Sequence, residues 1–366
     1  MTPENVPGKK KILIKVGTHI LGRDNGRLNY NRISDLVDQI IKLRESYQVI
    51  LVSSGATRAG REFCQFDNEK DPLIKRQMLA SIGQGRLFQV YSDFFREHSV
   101  VTAQALLTSG NFRWKNSFQN MKSTLEGLLE NDIMPIINEN DVTSHKESSF
   151  GDNDQLAALT SALLNVDLLV LVSDINGFYT ADPKRDPKAE LIRKVDRITP
   201  ELLTLCENSL SEGGTGGMLS KLKAAELATQ HGIPTIVCSG EETDCLLKAG
   251  GSESFGTYFT PVNEKKQLSL RGSWMTTSAD VQGVINIDLG AEEALKANKS
   301  LLAVGVTGVE GKFNEKDVVL IQNSEGIRIG TGLTNHTHTA IKELIKKKEK
   351  PKGVVVIHKN HLYTLF

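Results

Sequence analysis

KILIKVGT, residues 11 to 18, is a β-branched apolar run broken once by Lys15 and ended by Gly17 and Thr18. Four more runs are built alike: QVILVS (48 to 53), IMPIIN (133 to 138), DLLVLVS (167 to 173) and PTIVCS (234 to 239). Nearly every residue in them is apolar, as expected of strands covered on both faces. Longer segments of helical period separate them. Between the first two, Ile33, Leu36, Val37, Ile40, Ile41 and Leu43 recur near helical spacing, with Asn31 or Ser34 available as the cap. From Lys10 to about Thr260 the alternation predicts an α/β fold, a mostly parallel sheet flanked by helices.

The pattern then changes. Residues 262 to 279 are polar and without sustained period, and read as a linker. Residues 280 to 366 carry short runs (GVINIDLG, SLLAVGV, DVVLIQN, GIRIGTG, GVVVIHK) broken by glycines, which predicts a small β-rich domain with one helix near Ala291 to Lys296. The domains expected are therefore 1 to 261 and 280 to 366.

The chain has 366 residues, 39% hydrophobic and 24% charged, enough for two cores of unequal size. Its 44 basic residues balance 44 acidic ones, which excludes a global field toward nucleic acid or an anionic membrane. Cys64, Cys206, Cys238 and Cys245 are unpaired in sequence and read as reduced thiols in apolar surroundings. The start, MTPENVPGKKK, lacks a leader pattern, and no apolar run approaches the roughly 20 residues of a membrane span. A cytoplasmic protein is expected.

Polar and small residues gather just after the apolar runs, where ligands bind in open α/β sheets. The end of the first carries Lys15, Gly17 and Thr18, and that of the second Ser53, Ser54 and Gly55. NEND (138 to 141), FGDND (150 to 154) and the hairpin-like SDINGFYTADP (173 to 183) come next, then GGTGGMLSK (213 to 221) leading into a helix. Glycines before a helix let backbone amides approach phosphate, and the helix end adds a favourable partial charge. Taken alone, NEND and GDND fit Asx turns as well as a site. P-loop, protein-kinase HRD and dinucleotide GxGxxG motifs are absent.

IKVGT (14 to 18), SSGATRAGRE (53 to 62), INEND (137 to 141), GDND (151 to 154), GFYTADP (177 to 183) and GTGGMLSK (214 to 221) occur in this order. Together they resemble the amino acid kinase family, and within it the glutamate 5-kinase branch, over nearly the whole chain. The resemblance implies a three-layer sandwich and a phosphotransferase with a carboxyl group as acceptor: ATP-dependent phosphorylation of the γ-carboxylate of L-glutamate, the first step of proline biosynthesis. Another family member, acting on a different carboxylate or on a phosphate, is the first alternative, and an RNA-binding regulator acting through the C-terminal domain the second.

The resemblance also implies residue roles. Lys15 and Lys221 are expected on the transferring phosphoryl group, with Asp154 between them. Ser54, Asp141 and Asn153 are expected at glutamate, with Asn138 and Asp152 close by. Ser54 and Asn153 suit carboxylates, and Asp141 suits an ammonium. For ATP the matching positions are Lys15, Gly17, Ser173, Asp174, Thr215, Gly216, Gly217, Met218, Leu219, Ser220 and Lys221. Tyr179 and Pro183 suit either an adenine wall or the core. Mg²⁺ is expected on the phosphates and water, so no metal residue is named. His19, Ser53 and Ser173 depart from the family pattern, and His19 reads as a loop residue. Feedback inhibition by proline, a homodimer or homotetramer, and transfer of the product to glutamyl phosphate reductase are implied as well.

GVINIDLGAEEAL (283 to 295), SLLAVGV (300 to 306) and VEGKFNEKDVV (309 to 319) resemble a PUA domain, a fold that often binds RNA. Its basic stretch, KELIKKKEKPK (342 to 352), lacks interleaved aromatic residues and reads as a solvated face, so RNA is not an expected partner.

Overall fold

The computed structural model describes residues 8–23, 25–108, 111–112, 115–143, 153–181, 186, 188–199, 202–203, 217–251, 255–262, 281–346 and 353–364. The chain divides into two compact units, Met1–Asn111 with Gln119–Lys266, and Phe112–Phe118 with Gln267–Phe366. Most of the expected linker lies outside the described residues.

The first unit is built on one eight-stranded sheet. The five apolar runs are strands β1 (Lys10–Val16), β2 (Tyr47–Ser53), β4 (Met134–Glu139), β5 (Leu168–Ser173) and β7 (Thr235–Ser239). Three further strands were not anticipated: β3 (Thr102–Leu107), β6 (Lys194–Val195) and β8 (Thr257–Phe259). The order is β3-β4-β2-β1-β5-β7-β8-β6, and every pairing is parallel except β7 with β8. β3 escaped notice because it lies at the sheet edge, where TAQALL is half exposed and lacks an apolar run.

Side chains alternate across a strand, and in β1 that alternation sorts core from chemistry. Ile12, Ile14 and Val16 are buried in one cluster with helix α1 (Tyr30–Leu43), Leu87, Val90, Tyr91 and Phe95 of helix α3 (Pro72–Glu97), and Cys245 and Leu246. Lys15, one residue out of phase, belongs to the opposite face. Helix α1 begins on Asn29, two residues before the nearer of the two expected caps; the Asn29 side chain accepts from the Arg32 amide, so neither Asn31 nor Ser34 is the cap.

Helix α2 (Ala56–Gly60) sits so close to α3 that both carry glycine at the crossing. A Cβ on Gly83 would stand 1.9 Å from the Ala56 carbonyl oxygen and 2.2 Å from the Gly60 amide nitrogen. Both obstacles are backbone and cannot swing aside. Gly83→Ala is therefore expected to destabilise the first unit by about 1–3 kcal/mol or more, read as a lower urea midpoint. A midpoint unchanged within error would mean that the two helices separate freely.

Among the described residues the further helices are α4 (Lys115–Glu130), α5 (Asn153–Leu164), α6 (Met218–Gln230) and α7 (Cys245–Gly251). SDINGFYTADP does turn back on the chain: Tyr179 bridges Leu191, and the Ile192 amide donates to the Phe178 carbonyl at 2.8 Å. Cys238 and Cys245 are buried thiols, Cys64 is half-buried, and Cys206 lies outside the described residues. No helix among the described residues is long and apolar enough to cross a membrane.

The second unit has a five-stranded sheet, ordered β11 (Val306–Gly311), β9 (Gly283–Ile287), β12 (Val318–Gln322), β13 (Arg328–Leu333), β15 (Leu362–Thr364), and a pair, β10 (Leu301–Leu302) with β14 (Val355–Ile357). Ile285, Ile287, Val319, Ile321, Ile341 and Val356 form its core. Among the described residues this unit has two α-helices rather than the one expected. Helix α8 (Leu289–Lys296) is capped by Asp288, and α9 (His338–Lys346) buries Ile341. The basic stretch hid α9: its lysines drew the reading away from Ile341, Leu344 and Ile345, which recur at helical spacing and pack on the core. Residues 347 to 352 lie outside the described residues.

Candidate active site

From β1 the chain moves outward through β2 to β4, while β5 lies on the other side of β1 and leads to β7. The carboxyl ends of β1 and β5 therefore form a switch point, where the loops leave in opposite directions and open a crevice. Bonds beyond the strand ends draw the loops in. The Gly17 amide donates to the Val172 carbonyl at 3.3 Å, Ser54 to Val16 at 3.1 Å, and Gly240 to Ser173 at 2.7 Å.

On the face opposite the α1/α3 cluster, Lys15 meets the first turn of α5 and that of α6. Lys15 Nζ lies 2.5 Å from Asp154 Oδ1, and Lys221 Nζ lies 3.1 Å from Asp154 Oδ2. Lys15 is 2% exposed, Asp154 0% and Lys221 6%, so one carboxylate sits between two ammonium groups away from bulk water. Each buried ion forgoes several kcal/mol of hydration, and partners on both oxygens are what makes Asp154 tolerable there. Lys15, Asp154 and Lys221 come together as expected from sequence.

Beside them, α5 begins with Asn153, whose Nδ2 donates to Ser54 Oγ at 2.8 Å and to Asn138 Oδ1 at 2.9 Å. Asn138 Oδ1 also accepts from the Glu139 amide at 2.8 Å, and Asn138 Nδ2 donates to Gln84 Oε1 at 2.6 Å. Ser54, Asn138 and Asn153 are thus joined, and the network adds Gln84, which sequence reasoning missed. Arg76 was missed too. Its Nη2 lies 3.5 Å from Asp141 Oδ1. Burial pushes the Asp141 carboxyl up to about 6, with Arg76 opposing and Glu139 adding to the rise. Both missed residues stand on α3, whose sequence IGQGR, with glycines flanking Gln84 inside a helix, was the available signal.

Ser53 lies behind the site, its hydroxyl within 3.0 Å of buried Tyr91 Oη. Ser173 Oγ donates to Asp174 Oδ1 at 3.0 Å, and His19 Nδ1 lies 3.5 Å from Asp174 Oδ2. Burial opposes ionisation of Asp174, but the Ser173 hydroxyl, its own backbone amide and His19 together hold its carboxyl below the ordinary value. His19 is exposed, as expected of a loop residue, yet it reaches Asp174. Gly217 is the N-cap of α6 and supplies no side-chain cap, with Met218, Leu219 and Ser220 forming the first turn ahead of Lys221. Tyr179 is half-buried. Asp152, Pro183, Thr215 and Gly216 lie outside the described residues, as do Gly213 and Gly214. Among the described residues no group of three or more His, Cys, Asp or Glu is placed to hold a metal ion.

The family model "Amino acid kinase family" matches residues 10–239, and the model "PUA domain" matches residues 283–352. A glutamate 5-kinase of Dehalococcoides mccartyi (strain CBDB1) is 39% identical over 369 residues, covering 97% of this chain and 98% of its own. A glutamate 5-kinase of Streptococcus gordonii is 37% identical, covering 95% and 94%, and one of Trichlorobacter lovleyi is 39% identical, covering 91% and 88%. Among solved structures, UMP kinase from Bacillus anthracis superposes with a TM-score of 0.51 at 14% identity, over 69% of this chain and 97% of that one. Carbamate kinase from Giardia lamblia bound to AMP-PNP gives 0.51 at 16%, over 69% and 98%. At such identities the two structures speak for the fold alone.

Proposed function

This chain belongs to the amino acid kinase family, and we propose that it transfers the γ-phosphoryl group of ATP to the side-chain carboxylate of free L-glutamate. The observation that carries the reading is the buried Lys15–Asp154–Lys221 arrangement beside the Ser54–Asn153–Asn138 network. Phosphoryl transfer places negative charge on the equatorial and bridging oxygens, so fixed cations in a water-poor site lower the barrier. Lys15 and Lys221 supply those cations, and Asp154 keeps both in place. A glutamate γ-carboxylate oxygen forms the new bond to the γ-phosphorus as the bond to the ADP oxygen breaks. With a reference pKa of about 4.3 the nucleophile is already ionised, and no general base is needed.

Ser54 and Asn153, with Asn138 close by, serve the carboxylates of glutamate, and Asp141 its ammonium. Asp152, next to Asn153, belongs to the same proposal. Gly17, Ser173 and Asp174 at the strand ends, with the segment from Thr215 to Lys221, serve ATP. Magnesium prefers oxygen ligands and retains water. Asp154 is engaged by two ammonium groups, so the donor set suits a metal that arrives on the nucleotide, and no protein ligand is assigned to it. Proline as feedback inhibitor, a homodimer or homotetramer, delivery of the labile acyl phosphate to glutamyl phosphate reductase, and a cytoplasmic setting complete the reading.

The test is an acceptor screen. The chain is incubated with ATP, Mg²⁺ and, in turn, glutamate, N-acetylglutamate, aspartate or a nucleoside monophosphate, with hydroxylamine trapping acyl phosphate and released ADP measured throughout. Glutamate is expected to give the highest kcat/KM, and preference for another acceptor overturns the proposal.

Asp141 makes the pH dependence specific. Its ionised form is needed to hold an ammonium, and its carboxyl titrates at about 6 in the free protein. The KM for glutamate is expected to climb roughly tenfold per pH unit below about 6, with kcat at saturation changing much less. Asp141→Asn should raise KM and flatten this limb. The same shift has a stability sign: the folded state holds its proton up to a higher pH than the unfolded chain does, so Asp141 costs stability as pH rises from about 4 to 6. A KM flat between pH 5 and 7 would remove Asp141 from ammonium recognition.

A further inference from the structure

The hydrogen bonds around Asn138 fix the orientation of three carboxamides at once. The Glu139 backbone amide can only donate, and it donates to Asn138 Oδ1 at 2.8 Å. That anchors the oxygen, so Asn138 Nδ2 must point the other way, where it donates to Gln84 Oε1 at 2.6 Å. Gln84 is then fixed as well: its oxygen is turned toward Asn138 and its Nε2 away from it. Asn153 is held on three sides. Its two amide hydrogens go to Ser54 and Asn138, and its Oδ1 accepts from the Glu139 amide at 3.3 Å.

Counting donors and acceptors separates groups that are spent from groups that remain. Asn153 has given both of its donors within the network. Ser54 accepts from Asn153, which leaves its own hydroxyl hydrogen to donate. Asn138 keeps one amide hydrogen. Gln84 keeps both hydrogens on Nε2, which makes no hydrogen bond among the described residues. What remains along this wall is donors, the complement of an anionic oxygen pair.

We infer that Gln84 is a specificity-determining residue whose Nε2 donates to the α-carboxylate of the amino acid substrate. This rests on the glutamate reading above. The γ-carboxylate must lie by the Lys15 and Lys221 ammonium groups to receive the phosphoryl group. Gln84 stands two links along the relay from Asn153, the neighbour of Asp154, so it is matched to the far end of the substrate. Arg76, eight residues earlier on the same helix, already meets Asp141. Gln84 reaches Asn138 and Arg76 reaches Asp141, so helix α3 supplies a neighbour to each end of NEND (138 to 141), which sets the α-carboxylate at Gln84 and the ammonium at Asp141.

Gln84→Glu tests this because it keeps an oxygen for Asn138 Nδ2 and replaces only the donor by an acceptor. The expected result is a KM for glutamate raised about 30-fold or more, kcat changed less than about threefold, and KM for ATP unchanged. The α-amide of glutamate, which retains the γ-carboxylate but offers N–H donors at the α-position, should lose far less, so the preference for glutamate over its α-amide falls at least tenfold. Gln84→Met, which removes both functions, should raise KM for glutamate without restoring the α-amide. If Gln84 merely props Asn138, Gln84→Glu leaves both KM values and their ratio as in the parent, and the inference is overturned. Equal losses for the two acceptors overturn it too, since they place Gln84 away from the α-carboxylate. Should the parent chain itself fail to turn over glutamate, the functional reading fails first, and that outcome is visible without any variant.

Discussion

Replacing Lys221 by alanine is expected to lower kcat at least a hundredfold while KM for glutamate moves less than about fivefold. The ammonium group acts on charge that develops during transfer, so its loss falls on the transition state rather than on the bound ground state. Lys15→Ala should behave alike. The pair should not be additive, because both cations share Asp154 and serve one phosphoryl group: the double variant is expected within about tenfold of the worse single one. Lys221→Arg should recover little. A planar guanidinium presents a fork where the geometry holds a single nitrogen 3.1 Å from Asp154 Oδ2. Stopped-flow or coupled release of ADP measures all four. Turnover of Lys221→Ala within twofold of the parent would remove Lys221 from the chemistry, whatever the fold.

Part of this site was legible because it is written at strand ends. β1, β2, β4, β5 and β7 announce themselves as apolar runs, and the residue just past or just within each end is a lysine, serine, asparagine or aspartate that has no reason to interrupt a core. The meeting of Lys15 with Lys221 was not legible from periodicity. It depends on one residue of phase in β1, which turns Lys15 away from Ile14 and Val16 and toward α5 and α6. Motif resemblance supplied that pairing, and side-chain alternation explains it. Gln84 and Arg76 were missed for another reason. They lie inside a long helix, where polar residues are ordinarily solvated, and their approach to Asn138 and Asp141 depends on a helix crossing tight enough to exclude a Cβ at Gly83. A crossing of that kind has no one-dimensional signature beyond the glycine itself. The edge strand β3 was missed because it buries too little apolar surface to impose a period, and α9 because its lysines outweighed Ile341, Leu344 and Ile345 in the reading.

Asp154 allows the chemical role of the cluster to be separated from its structural one. Asp154→Asn should be a damaging change despite its small size, because it removes the carboxylate charge that both buried ammonium groups contact. Breaking a buried charge network in this way costs about 3–5 kcal/mol, a fall in the thermal midpoint on the order of 10 °C, and turnover should drop at least a hundredfold as the lysines move apart. Loss of activity alone would then be ambiguous, since an unfolded site is also inactive. The triple variant Lys15→Met, Asp154→Leu, Lys221→Met resolves it. Apolar side chains of similar size remove all three desolvation costs, and buried ion networks replaced whole are often no less stable than the parent. The expected outcome is a thermal midpoint restored to within a few degrees of the parent, with turnover still absent. That pattern would mean that the buried charges are kept for phosphoryl transfer at the expense of stability. A triple variant as unstable as Asp154→Asn would instead make the cluster a structural element of the sheet face, and the assignment of the two lysines to catalysis would lose its physical basis.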